Sequence, residues 1–351
     1  MTTQPPGIRL DRLTIENYKK IDHLEIEFPR PRMPGDADVL MLGSKNGGGK
    51  TSVLECCALL ILAGILPAFD LVIKYNDNSI NSLIRAGCRT ATINGNFFYL
   101  GQYTGIILTI DRETGIRVTR DSSALAPLST IFTRQEVETF FPTLLAFSNE
   151  PLILPPLLHF NSYRKVEESN PELGIMASNI HDDKHLTGTP ISAFKLEILS
   201  ALMGQAALFE GVNRNSSEAV LFQLNTLTQR YCGGKIEHLR QLPDGKVDIR
   251  IKSPSSVDSF SFDGLSSGQK EIIATLFMIW RNTQSAPGIV LIDEPELHLN
   301  AEWHGDFIRQ LHKLAPQNQY IMATHSEQMF RSVEEYQRMI LLPDNEAGAA
   351  V

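Results

Sequence analysis

The chain has 351 residues, 42% hydrophobic and 21% charged, the make-up of a globular protein able to bury one large core or two smaller ones. Forty acidic against 32 basic residues give a net charge of −8, so no global basic field draws it to nucleic acid, and only a local basic face would. The longest apolar run, Ala58 to Phe69, is too short to cross a bilayer and is broken by Gly64 and Pro67; the N-terminal MTTQPPGIRL has no apolar signal core. Cys56, Cys57, Cys88 and Cys232 show no CxxC spacing and read as reduced thiols of a cytoplasmic protein.

In chain order, RLDRLTIENY and LEIEF alternate apolar and polar residues, as half-buried strands do. Val39 to Leu42 is continuously apolar, the mark of a buried strand in a covered sheet. From Thr51, SVLECCALLILAG reads as a helix that Gly64 is placed to end. Between strand and helix lies GSKNGGGK, the context of a phosphate-binding loop. The usual pattern is glycine, four residues, then Gly-Lys-Ser/Thr. With Lys50 and Thr51 in the last places, the leading glycine belongs at 44, where serine stands, and the glycine is at 43. From these residues alone the stretch is either a nucleotide site with one substitution or a glycine-rich turn.

TATINGNFFYL, GIILTID and GIRVTR, between residues 90 and 120, read as antiparallel strands, with a turn at Glu113-Thr114-Gly115. Pro155 to Arg164 reads as another buried strand, and the polar stretch Glu167 to Lys184 as a linker. Its end, His181-Asp182-Asp183-Lys184-His185, has metal-ligand residue types but reads as a solvated loop. Helices are expected over Ile191–Phe209 and Ser217–Cys232, the second closed by Gly233-Gly234. A hairpin follows, Pro243-Asp244-Gly245 turning between IEHLRQL and KVDIRIK. No sustained heptads or internal repeats occur.

Three later stretches carry chemistry. In FDGLSSGQKEIIATLFMIW a Ser-Ser-Gly turn opens an apolar helix, aiming backbone N–H groups and the positive helix end outward; a serine-rich N-cap on a core helix is the alternative. In GIVLIDEPELHLN four apolar residues run into Asp293 and Glu294 before Pro295 stops the strand. Two acids at the tip of a buried strand suit a bound cation and an activated water, or else form a surface turn. QYIMATHSEQMF is a further buried strand ending in Thr324-His325-Ser326, and RMILL, Arg338 to Leu342, is the last strand.

In this order the four elements resemble the ABC-type ATPase superfamily, in its soluble SMC-like, RecF-like and OLD-like branch. DEPELHLN followed by ATHS is similar to the pattern of the small AAA-type/OLD-like ATPases of bacterial anti-phage operons. The resemblance implies an α/β P-loop head: a mixed, mainly parallel core sheet, an antiparallel β subdomain and a helical signature lobe. Its parts fall at 1–165 (P-loop and β subdomain), 166–284 (helical lobe) and 285–351 (end of the core).

The implied ligands are ATP and Mg²⁺. Asn46, Gly47, Gly48 and Gly49 would cradle the phosphates with Lys50, Thr51 and Ser52, while Thr51 and Asp293 hold the metal. Glu294 corresponds to the catalytic glutamate and His325 to the switch histidine. Ser266, Ser267, Gly268 and Gln269 correspond to a signature that contacts the γ-phosphate held by a second subunit, so a homodimer or larger homo-oligomer is implied. Ser44 and Ser267 depart from the family glycines. Gln102 and Gln135 are candidates for the glutamine that reaches Mg²⁺, and Asn17-Tyr18-Lys19 is either a nucleotide contact or a plain strand-end turn.

The function implied is a cytoplasmic Mg²⁺-dependent ATPase that dimerises around ATP and controls a separate effector in anti-phage defence. A RecF-like DNA-maintenance ATPase and a nucleotide-bound scaffold with little turnover are the alternatives. With no zinc-hook CxxC and no acidic domain after the last strand, an ATPase head without nuclease activity of its own is expected.

Overall fold

The computed structural model describes residues 7–33, 35–43, 48–66, 81–122, 151–154, 156–166, 193–205, 214–244 and 246–341. Ser44, Asn46, Gly47, Gln135, Gly245, Leu342 and the stretch 167–192, with its His181–His185 cluster, lie outside them. The chain divides into two compact units: 1–163 with 282–297 and 301–351, and 164–281 with 298–300.

The first unit contains two sheets. The antiparallel one runs β2-β1-β4-β5-β6, from β1 (Arg9–Tyr18), β2 (Ile21–Glu27), β4 (Thr90–Tyr99), β5 (Gln102–Asp111) and β6 (Gly115–Arg120). The other, of six strands, has the order β14-β3-β13-β12-β8-β7. Its strands are β3 (Asp38–Gly43), β7 (Leu152–Leu154), β8 (Leu157–Phe160), β12 (Ile289–Asp293), β13 (Gln319–Thr324) and β14 (Arg338–Ile340). All pair in parallel except β7 with β8.

Helix α1 (Lys50–Ile65) touches strands of both sheets, which explains its sequence: every residue from Cys56 to Ile65 is buried, and a helix apolar all round must be covered all round. The helix runs through Gly64, which therefore does not end it. Burial on every side outweighs the roughly 1 kcal/mol that an interior glycine costs. The helix stops at extended Leu66, where Arg120 of β6 donates to the carbonyls of Ala63 and Leu66 at 2.6–2.9 Å and caps its C-terminus.

A second device joins the sheets. Asp11 is bulged out of the β1–β4 ladder, and the Gln319 amide takes both backbone groups of the neighbouring Leu10: Leu10 N–H donates to Oε1 at 2.9 Å and Nε2 donates to the Leu10 carbonyl at 2.8 Å.

Other boundaries differ from the sequence reading for local reasons. β5 begins at Gln102 rather than Gly105, because Leu100 and Gly101 both take positive φ (50° and 78°) and make a two-residue hairpin turn. The strand expected over 155–164 spans only Leu157–Phe160, since the Asn161 side chain accepts the Tyr163 N–H at 2.9 Å and turns the chain.

The second unit holds helix α2 (Ala193–Gln205), α3 (Arg214–Cys232), the antiparallel strands β9 (Lys235–Gln241), β10 (Val247–Lys252) and β11 (Phe260–Ser261), and α4 (Ser267–Asn282). α3 starts three residues earlier than expected and ends where Gly233 takes φ 70°. Buried Lys195 pairs with Asp263 at 2.7 Å and Arg164 with Glu271 at 2.5 Å. Phe194 packs on Phe262 and Phe277.

Candidate functional site

Gly49 is the N-cap of α1 with φ 80°, a backbone that favours glycine, and a Cβ there would stand tightly at 3.2 Å from Ile21 Cγ1. No side chain caps this helix start, which leaves the first-turn N–H groups aimed at a cleft of about 270 Å³. Gly48, Gly49, Lys50, Thr51 and Ser52 line it from the loop and helix, and Lys19, Lys20 and His325 line it from elsewhere. An uncapped helix end beside three lysines has the chemistry that suits an anion.

Parallel pairing of β3, β13 and β12 lays their C-terminal ends side by side, so residues far apart in sequence meet. The Thr51 hydroxyl donates to Asp293 Oδ2 at 2.8 Å, across 242 residues of chain. Lys50 Nζ lies 3.4 Å from His325 Nδ1, and His325 Nε2 lies 3.5 Å from Glu294 Oε1. Lys50 is 5% exposed; burial lowers its pKa, against the opposing pull of the Asp293, Glu294 and Glu296 carboxylates.

Asp293 is buried at the tip of β12. Glu294 takes φ 47°, a left-handed conformation costing about 1 kcal/mol for a side chain of this kind. It is held there by its N–H on the Ala323 carbonyl (2.8 Å) and its carbonyl on the Leu297 N–H (3.0 Å). The turn swings the Glu294 carboxylate towards His325.

The Thr51 hydroxyl and the Asp293 carboxylate are the hard oxygen donors Mg²⁺ takes, and their 2.8 Å separation is close to the edge of an octahedron with bonds of 2.0–2.1 Å (about 2.9 Å). The residues fit that metal.

A further participant lies within DEPELHLN. Glu296 Oε1 accepts the N–H of His325 at 2.5 Å and that of Ser326 at 3.0 Å. His304, on helix α5 (Ala301–Leu314), lies 3.0 Å through Nδ1 from Ser326 Oγ, which also accepts Met329 N–H and caps the short helix α6 (Glu327–Phe330).

The signature segment belongs to the second unit. Ser266 and Ser267 are exposed, whereas the Gln269 side chain is engaged within the unit. Ser266 N–H donates to Gln269 Oε1 (3.0 Å), Gln269 N–H donates to Ser266 Oγ (3.3 Å), and Gln269 Nε2 donates to the Tyr231 carbonyl (3.0 Å). This is a reciprocal cap at the start of α4. Gly268 sits against the His298 carbonyl, 2.2 Å from where its Cβ would be.

Of the remaining candidates, Gln102 is exposed at the β4–β5 turn. Asn17 and Lys19 both take positive φ, and the Lys19 ammonium pairs with Glu55 at 2.6 Å while facing the cleft. No described helix is long and apolar enough to cross a membrane, and no described cluster of three His, Cys, Asp or Glu could hold a metal ion.

The fold is that of an α/β head with a mainly parallel core sheet and a cleft at the start of its first helix. Residues 171–329 match the family described as "AAA domain, putative AbiEii toxin, Type IV TA system". The retron Ec83 probable ATPase of Escherichia coli is 34% identical over 93% of this chain and 70% of its own length, and the chain belongs to that AAA-domain ATPase family. Shorter matches, to the retron Vc95 probable ATPase of Vibrio cholerae (34% over 26% of this chain) and the Septu protein PtuA of Bacillus mycoides (33% over 25%), span only 19% and 13% of those relatives. Among solved structures, an Smc head bound to the C-winged helix domain of ScpA superposes with a TM-score of 0.55 at 15% identity, covering 96% of this chain and 99% of that one. The Pyrococcus furiosus Smc head superposes at 0.54 and 14%, covering 96% and 94%, so the likeness is one of fold.

Proposed function

We propose that the chain binds ATP with Mg²⁺ in the α1 cleft, hydrolyses it, and uses the nucleotide state to control a separate partner. The observation that carries the reading is the Thr51–Asp293 contact, which joins the helix start to the acidic strand end at the point where a phosphate-bound cation belongs. The first-turn amides and Lys50 hold the phosphates. Thr51 and Asp293 hold Mg²⁺, which when bound neutralises charge building on the phosphate oxygens. Glu294 takes the proton of the attacking water, and His325, between Lys50 and Glu294, faces the terminal phosphate.

Ser266, Ser267 and Gly268 act on the nucleotide of a second copy, so that ATP closes a homodimer. The exposed serines at the start of α4 support this reading. The retron and Septu relatives, together with the resemblance of DEPELHLN and ATHS, favour an anti-phage setting with the effector on another polypeptide. Phosphate release from ATP by the purified chain with Mg²⁺ is the test. Turnover that survives both Lys50→Met and Glu294→Gln would remove the cleft from the reaction.

A further inference from the structure

We infer that Glu296 is a positioning residue: its carboxylate clasps the successive N–H groups of His325 and Ser326 and thereby sets the His325 imidazole between Lys50 and Glu294. The inference rests on the ATPase reading above and adds a residue to it.

β13 ends at Thr324, so the N–H groups that follow leave the sheet ladder. They emerge beside the carboxylates of the DEPE turn, and a single oxygen, Glu296 Oε1, accepts both at 2.5 and 3.0 Å, the Ser326 N–H being shared with Thr324 Oγ1 at 3.0 Å. Two N–H groups on one carboxylate oxygen are charge-assisted bonds, stronger than neutral ones. Beyond them, the His325 side chain is only partly exposed, and its polar neighbours among the described residues are Lys50 at 3.4 Å and Glu294 at 3.5 Å, neither close enough to fix a ring. The backbone clasp therefore fixes the position from which the ring reaches between them.

The turn that delivers Glu296 is itself fixed, because Glu294 is pinned in its left-handed conformation by Ala323 and Leu297. Glu296 Oε2 is buried with no hydrogen-bond partner among the described residues. A desolvated carboxylate is worth keeping only where its charge or its aim is used. Its charge also reaches Lys50, whose proton affinity it supports. His304 bonds to the Ser326 hydroxyl and not to the His325 backbone, so it steadies α6 without replacing the clasp.

The substitutions separate shape from charge. Glu296→Gln keeps an acceptor oxygen at the same reach, Glu296→Asp is one methylene too short, and Glu296→Ala removes the clasp. The strand itself stays between β3 and β12 in each case, so the fold is retained.

Steady-state ATP hydrolysis should show kcat falling on the order of 10- to 100-fold in Glu296→Ala and Glu296→Asp, the loss of a charged hydrogen bond. KM should move little, and Glu296→Gln should recover most of the rate. Combined with His325→Ala, Glu296→Ala should cost no further activity, because a residue that acts only through His325 has nothing left to position. A merely structural glutamate would cost the same in both backgrounds, and that outcome overturns the inference.

Amide hydrogen exchange provides an arm independent of turnover. Peptides covering 324–327 should exchange at least tenfold faster in Glu296→Ala, while those in β13 are unchanged; equal exchange overturns the clasp. If the wild type hydrolyses no ATP, the ATPase reading fails and the exchange measurement still decides the clasp.

Discussion

Replacing Lys50 by methionine should remove most of the stabilisation that ATP gives the protein while leaving the ligand-free form as stable as before, or more so. The side chain is 5% exposed, and burial is the larger influence on its ammonium, outweighing Asp293, Glu294 and Glu296. Its folded pKa is therefore below the ordinary value of 10.5. A lysine in this state binds its proton less tightly when folded, so its charge costs stability in full below the folded pKa, and the cost disappears as pH rises to the unfolded one. Methionine keeps the stem and removes that cost. With nucleotide the balance reverses, because the phosphates add negative charge beside the ammonium. At an ATP concentration about 100 times Kd, the wild type gains about 2.7 kcal/mol. Losing a charged hydrogen bond of about 1.5–3 kcal/mol weakens binding about 10- to 150-fold, leaving about 0.3–1.4 kcal/mol. For 351 residues unfolding with an entropy of about 0.7 kcal/mol/K, the Tm shift falls from about 4 °C to about 0.5–2 °C. Differential scanning calorimetry with and without MgATP measures both quantities. A wild-type shift in Lys50→Met would take Lys50 off the phosphates; a lower ligand-free Tm would refute the burial argument.

Glu294→Gln should bind MgATP as the wild type does and hydrolyse it about 10²- to 10⁴-fold more slowly, since an amide cannot take the water's proton. If the signature serves a second copy, this variant should accumulate an ATP-dependent dimer by light scattering; a monomer with both ATP and ADP would sink that model. Asp293→Asn keeps an acceptor for the Thr51 hydroxyl but loses the charge, so half-maximal turnover should need at least tenfold more Mg²⁺, and chelating the metal should silence the wild type. Gly268→Ala drives a Cβ to 2.2 Å from the His298 carbonyl, a backbone atom that cannot swing away, and urea unfolding should show a loss of about 1–3 kcal/mol. An unchanged midpoint would mean that the start of α4 shifts freely.

Much of the architecture was legible because its signals are local. Alternation in RLDRLTIENY marked β1, and continuous apolar runs marked β3, β12 and β13, whose parallel pairing buries both faces. The Ser266–Gln269 cap was readable as a serine-rich helix start. What stayed hidden depends on partners distant in sequence. Glu296 looks like any surface acid until β13 is laid beside β12 and brings two N–H groups to it from 29 residues on. Gln319 looks like a polar strand start until the Asp11 bulge leaves Leu10 in need of partners 309 residues away. The end of α1 was misplaced for the same reason: Gly64 is a local stop signal, whereas the Arg120 cap that meets the real end comes from β6.

The glycine at 43 illustrates the point most clearly. Read along the chain, it is the leading glycine of a phosphate loop displaced by one residue. In the fold it closes β3 in strand conformation, and the left-handed turn at the helix start belongs to Gly49, at φ 80°. Gly43 is required for another reason: a Cβ would stand 2.7 Å from the ring of Phe330, in the short helix that Ser326 caps. Its glycine therefore serves the packing of α6 against β3, which also holds the chain just after His325. Spacing from Lys50 is the wrong ruler for residue 43, because the neighbour that selects it lies 287 residues further along and reaches it only through the β3–β13 pairing.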